Sequence, residues 1–156
     1  MPDETLRQLL SDSAQAVLET MFFAIPDEVS MDPARPAGSL IAAGLAFEGA
    51  PSGRFGLVAS EPLAQAFTAN FIGDFEDSAP AAEKVAGVMA ELANMICGAL
   101  LSKIESGANF DLGAPATTLM GPEAPDPEFC AGSPATCRLE FPEGTLLSFF
   151  DFQEPA

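Results

Sequence analysis

Histidine is absent from this chain, and that absence excludes a good deal of chemistry. Without an imidazole there is no Ser-His or Cys-His nucleophile pair and no side chain whose ordinary pKa lies near neutrality. Cysteine is scarce as well. Cys97, Cys130 and Cys137 are widely spaced and form no Cys-x-x-Cys pair. Structural zinc calls for four Cys or His ligands, so no metal site is expected. A Cys130–Cys137 disulfide needs an oxidising setting, and the six residues between them suit a hairpin staple poorly. Reaction chemistry is thereby restricted to carboxylates, amides, hydroxyls or groups brought by a partner.

Basic residues are few: 6 Lys and Arg stand against 23 Asp and Glu, a net charge of −17. That field repels phosphate backbones and anionic lipid, so nucleic-acid and membrane-surface roles are excluded. It serves solubility, and it also favours a partner with a basic face. Apolar runs are broken by charge, Gly or Pro before about 18 residues, which predicts no membrane-spanning segment and no membrane insertion. The opening Met1-Pro2-Asp3-Glu4 has neither a basic nor an apolar leader region, so the expected compartment is the cytoplasm.

What is present is ordinary globular material. A hydrophobic fraction of 48% over 156 residues suffices for one domain, taken as 1–156. Residues 4–24 read as an amphipathic helix, with Leu6, Leu9, Leu10, Ala14, Val17, Leu18 and Met21 at three- and four-residue steps. Met21, Phe22 and Phe23 are expected to pack in the core and at the helix end. Pro26 ends the helix, and 26–38 reads as an irregular connector. Strands over 39–48 and 54–60, joined by G-A-P-S-G, predict a hairpin. A short helix follows from Ser60 to near Gly73, with Glu61 and Pro62 suited to its first turn. An acidic loop at 74–79, with Asp74, Glu76 and Asp77, leads to the longest helix, about 80–106, ended by Gly107. A strand over 110–120 broken at Pro115, a proline-rich loop at 122–134 and a final hairpin (135–141 and 145–152) complete the chain. The order predicts an α+β fold, long helices packed on a mostly antiparallel β-sheet. The alternating Phe and Leu of the last hairpin suggest an exposed or pairing edge.

The long helix separates into two faces at about 100° per residue. Val85, Val88, Met89, Leu92, Ile96, Ala99 and Leu100 form the core stripe; Gly87, Glu91, Asn94, Gly98, Ser102 and Glu105 lie opposite. Each interior glycine costs a helix about 1 kcal/mol relative to alanine. Two of them bracketing Glu91 and Asn94 make a notch, onto which either a neighbouring helix packs or another protein's surface approaches. Cys97, beside this stripe, is expected to be a small residue tucked into packing.

The segment V-A-G-V-M-A-E-L-A-N-M-I-C-G, with its Glu-x-x-Asn on a long exposed helix, resembles the signature of the CheC/CheX/FliY phosphatases. The A-V-L-E-T-M-F-F run of the first helix, G-x-F-G-L at 53–57 and Pro115 after the long helix resemble CheX in particular. The resemblance covers roughly residues 5–152 and implies a CheC/CheX-like fold, a cytoplasmic chemotaxis role, one active site and often a homodimer. It implies that Glu91 and Asn94 are the active pair, with Gly87, Gly98 and Ser102 at the partner surface. Two features depart from the family pattern. Gly87 stands where Asp or Ser is frequent, and the interval from Asn94 to Pro115 is slightly short. A second Glu-x-x-Asn, present in relatives with two sites, is lost here because Glu19 is followed by Thr20, Met21 and Phe22.

The implied activity is hydrolysis of the aspartyl phosphate of a CheY-like response regulator. The regulator supplies Mg²⁺ and a lysine, so this chain needs no cofactor of its own. An acyl phosphate requires chiefly a water held in line, which an amide such as Asn94 provides by positioning. Glu91, one turn away, suits pairing with the regulator's lysine better than base catalysis, since an exposed carboxylate is a weak base. The other reading is a non-catalytic CheX-like or flagellar-switch-like interaction module that binds a regulator without hydrolysis.

Overall fold

The computed structural model describes residues 3–49, 52–73, 80–104, 110–127 and 135–153. Their elements run α1 (Asp3–Phe22), β1 (Glu28–Ser30), β2 (Leu40–Glu48), β3 (Ser52–Ser60), α2 (Glu61–Ile72), α3 (Ala82–Ile104), β4 (Asp111–Leu112), β5 (Ala116–Met120), β6 (Ala135–Phe141) and β7 (Gly144–Gln153). The seven strands form one sheet in the order β1-β6-β7-β3-β2, with β4 and β5 both on the far side of β2. Every pairing is antiparallel. Three helices on a seven-stranded antiparallel sheet is the α+β arrangement expected.

Strand alternation assigns the two faces. Ile41, Ala43, Leu45 and Phe47 of β2 join the core beneath the helices, while Leu40 and Ala42 join a second cluster with Val58, Met120, Leu147 and Phe149 behind the sheet. Segments 33–36 and 121–126 lie over that second cluster. Arg35 clasps them together, donating to the carbonyls of Ala124 and, at 2.8 Å, Gly121, and reaching the Asp126 carboxylate at 3.2 Å. With both faces covered, the strands carry nearly continuous apolar runs rather than strict alternation.

Three expectations are corrected. Residues 26–38 contain the short strand β1, held by β6 and by the Asp27 N–H donating to the Glu140 carbonyl at 2.7 Å. The final hairpin is no edge: β7 lies between β6 and β3, and Leu146, Leu147, Phe149 and Phe150 are buried. The edges are β1 on one side and β4 with β5 on the other; Pro115, lacking an N–H, divides the latter pair. Finally, α3 is long and apolar enough by length and composition to cross a membrane, contrary to the reading from run lengths, although half of its most apolar window is buried within the fold.

Helix ends follow local chemistry. α2 begins after Ser60 with Pro62 in its first turn and closes on Gly73, whose left-handed φ of 77° lets its N–H reach the Ala69 carbonyl at 2.9 Å. α1 closes similarly, the Ala24 N–H donating to the Leu18 carbonyl at 3.1 Å, yet its left-handed position is Phe23, with φ 53°. A side chain there costs about 1–2 kcal/mol. Of the Met21-Phe22-Phe23 run, Phe22 alone enters the core, stacked on Phe71 at 4.9 Å and edge-on to Phe67 at 5.8 Å. Met21 and Phe23 are exposed, against expectation.

Gly53 explains its place in the G-x-F-G-L run. A Cβ there would lie 2.3 Å from the Asp151 carbonyl oxygen and 2.7 Å from the Phe47 ring. Phe47 in turn stacks on Phe150 at 5.5 Å, so neither neighbour yields freely. Gly53→Ala is expected to lower unfolding free energy by about 1–3 kcal/mol, measured by urea denaturation; an unchanged midpoint would contradict this packing.

Candidate functional site

α3 is built from strong helix formers with a lysine, Lys103, in its last turn. Its buried side comprises Val85, Val88, Met89, Leu92, Ala93, Ile96, Cys97, Leu100 and Leu101. That arc is wider than the stripe read from the sequence: Ala93, Cys97 and Leu101 are included and Ala99 is only half-buried. The extra width reflects neighbours on several sides, since α3 packs against α1, α2, β2, β3 and β5.

The orientation of the remaining face follows from this burial. Gly87, Glu91 and Ser102 are exposed, and Asn94 and Gly98 are half-buried on the same ridge. The structure therefore brings all five predicted residues to one outward surface. Glu105, Asp74, Glu76, Asp77, Gly107 and Cys130 lie outside the described residues. A Cβ built on Gly87 or Gly98 meets nothing within 4 Å, so among the described residues no element fills the notch. No described helix packs on the two glycines, contrary to the helix-packing explanation. Among the described residues, neither Glu91 nor Asn94 has a hydrogen-bond or ion-pair partner within the chain. Ser102 differs: its hydroxyl donates to the Gly98 carbonyl at 3.0 Å.

The two side chains are three residues apart, which places them about 4.5 Å along the axis and one turn round. An ionised carboxylate and a neutral amide at that separation can engage a cation and a water at once. Neighbouring groups add no competing chemistry. The Cys97 thiol, fully buried, is pushed up to about 12 by desolvation and is inert at neutral pH. The Cys137 thiol is also raised by burial, partly offset by a hydrogen bond with Ser11. No cluster of three or more His, Cys, Asp or Glu side chains able to hold a metal occurs among the described residues. At the corresponding place in α1, Phe22 stands fully buried where a second site would need Asn.

Concavity does not mark this surface. An open cavity of about 650 Å³ lies behind the sheet, floored by Ala42, Gly44, Ala46 and Ala116, on the face turned away from the helices. The residues lining that cavity include none of Gly87, Glu91, Asn94, Gly98 and Ser102.

A family model described as chemotaxis phosphatase CheX matches residues 41–124, more than half of the chain and inclusive of the Glu91–Asn94 ridge. The chemotaxis protein CheX of Vibrio vulnificus is 17% identical and superposes with a TM-score of 0.76, over 98% of this chain and 99% of that one. CheX of Desulfovibrio desulfuricans gives 17% and 0.73, over 96% and 99%. A chain of the CheX–CheY–BeF3–Mg²⁺ complex from Borrelia burgdorferi gives 20% and 0.66, over 94% and 97%. At these identities the likeness establishes the fold. No curated protein sequence matches. Together with the family model, the outward Glu-x-x-Asn ridge leads to one conclusion: this chain belongs to the family of the chemotaxis phosphatase CheX.

Proposed function

We propose that this protein accelerates hydrolysis of the aspartyl phosphate of a CheY-like response regulator. The observation that carries the reading is the unpartnered Glu91–Asn94 pair, facing outward between two glycines with open space above them. A relative of the same fold has been captured in a CheX–CheY–BeF3–Mg²⁺ complex, which supports a regulator as the partner.

In this reading α3 enters the regulator's active site with Gly87 and Gly98 allowing close approach and Ser102 at the far end of the contact. The Asn94 amide oxygen accepts a hydrogen bond from a water and turns the water's lone pair toward phosphorus. Oxygen–phosphorus bond formation is matched by cleavage of the bond to the aspartyl oxygen, releasing inorganic phosphate and a free carboxylate. The regulator's own Mg²⁺ and lysine balance charge on the phosphoryl group. Glu91 pairs with that lysine, fixing the angle of entry. The protein acts in the cytoplasm with its regulator, and a homodimer pairs through the β5 edge, where Ala116, Thr118 and Leu119 are exposed.

The acidic surface supports the same partner. Three of the six cations, Arg35, Arg54 and Arg138, are already paired with Asp126, Asp151 and Glu140. Each pair cancels one acid and one cation alike, so the net charge of −17 stands, and its field steers a basic face toward this protein.

Asn94→Ala is expected to slow stimulated phosphate release about 100-fold while binding to the BeF3-activated regulator persists. Glu91→Ala is expected to weaken both. Full activity of Asn94→Ala contradicts the mechanism, and binding without acceleration by the unaltered protein assigns it to the non-catalytic interaction module. Gly98→Leu separates docking from folding: helix propensity predicts a gain of about 0.8 kcal/mol in stability, with regulator affinity lowered at least about tenfold. Calorimetry and fluorescence titration read the two effects; retained affinity would show that the notch is not used.

A further inference from the structure

The ends of α1 and α2 meet at one corner of the helical layer. The Asn70 amide donates to the Phe22 carbonyl at 2.9 Å, and the Phe22 ring stacks on Phe71. The residues flanking these contacts do not follow them inward. Met21 is 44% exposed, Phe23 75%, Ile25 70% and Ile72 45%. Four large apolar side chains at one corner exceed the scattered surface hydrophobics of an ordinary monomer. Two of them carry a further cost or redundancy. Phe23 occupies the left-handed closing position of α1, where glycine is preferred, and its ring is turned to solvent although packing gains nothing from it. Ile25 stands just before Pro26 with no core contact to explain it. Backbone strain retained beside an exposed aromatic is an observation from which function is inferred.

Charge identifies the occupant. Around these residues stand Glu19, Asp27 and Glu28, all exposed. No lysine or arginine occurs between Arg7 and Arg35, nor anywhere in α2. A second copy of this chain would set these acids against their own counterparts, and anionic lipid meets the same repulsion. We propose that Met21, Phe23, Ile25 and Ile72 form a docking surface for a basic amphipathic segment of another protein, its apolar side chains covering Phe23 and Ile25 and its cations meeting Glu19, Asp27 and Glu28. The surface is built from the ends of α1 and α2, without Glu91 or Asn94, so a bound segment is a partner additional to whatever the α3 ridge engages.

A substitution at Phe23 distinguishes docking from structure, because the two roles predict opposite signs. Phe23→Gly removes the ring and relieves the left-handed strain, so thermal stability is expected to rise. The probe is a 14-residue fluorescent peptide of leucine and lysine at helical spacing, titrated at 0.15 M salt into the full chain. It is expected to bind the unaltered protein and to bind Phe23→Gly and Ile25→Ser at least tenfold more weakly, while a leucine–glutamate counterpart binds none of them. Equal affinity for all three proteins reduces the effect to net charge and overturns the proposal. So does self-association of the unaltered protein that Phe23→Gly abolishes, since the occupant is then a second copy. A fall in stability of Phe23→Gly likewise overturns it, by making the ring a structural element.

Discussion

Burial of one side of α3 is the constraint from which the rest of the site follows. Val85, Met89, Leu92, Ile96 and Leu100 lie against the sheet, and the helix has no freedom to turn while they remain there. At 3.6 residues per turn, that single packing decision sends Gly87, Glu91, Asn94, Gly98 and Ser102 outward together. The polar pair is therefore positioned by apolar residues that are themselves buried. Its rigidity comes from the core, and a side chain on a packed helix is held more accurately than one on a loop would be.

The chemistry fits what the composition leaves available. With no histidine and with Cys97 sealed in the interior, neither a nucleophile nor a neutral-pH base is at hand on the ridge. The proposed reaction, whose substrate is already activated and whose metal and lysine would come with the partner, would ask only for orientation. The glycines then make sense as a pair: each weakens α3 as a helix, and each leaves the backbone open to an incoming surface. Stability given up in the helix is offset by a core that extends under all three helices and continues behind the sheet.

Legibility in the sequence tracked how far each element is decided locally. The faces of α3, the β2–β3 hairpin and the Gly73 stop were readable because periodicity and turn residues specify them within a few positions. β1 was not, since three residues with no alternation become a strand only through pairing with β6. The last hairpin read as an edge because apolar alternation cannot tell an edge from an interior strand when both faces of a sheet are covered. Between Met21 and Phe22 the steps of three and four from Leu18 are equally good; the rings of Phe67 and Phe71 decide for Phe22. Ala93 and Cys97 joined the core of α3 through neighbours on its flanks, which no single-helix pattern contains. The availability of the Gly87–Gly98 notch was likewise a question of what else packs there, and only the assembled fold answers it.

The most direct test of the central claim maps the contact itself. Backbone amide exchange, or amide chemical shifts, of this protein are followed as a BeF3-activated CheY-like regulator is added. The account predicts that the perturbation centres on Gly87, Glu91, Asn94, Gly98 and Ser102, with the back of the sheet around Ala42, Val58 and Leu147 unchanged. A regulator that binds while this ridge stays silent would contradict it.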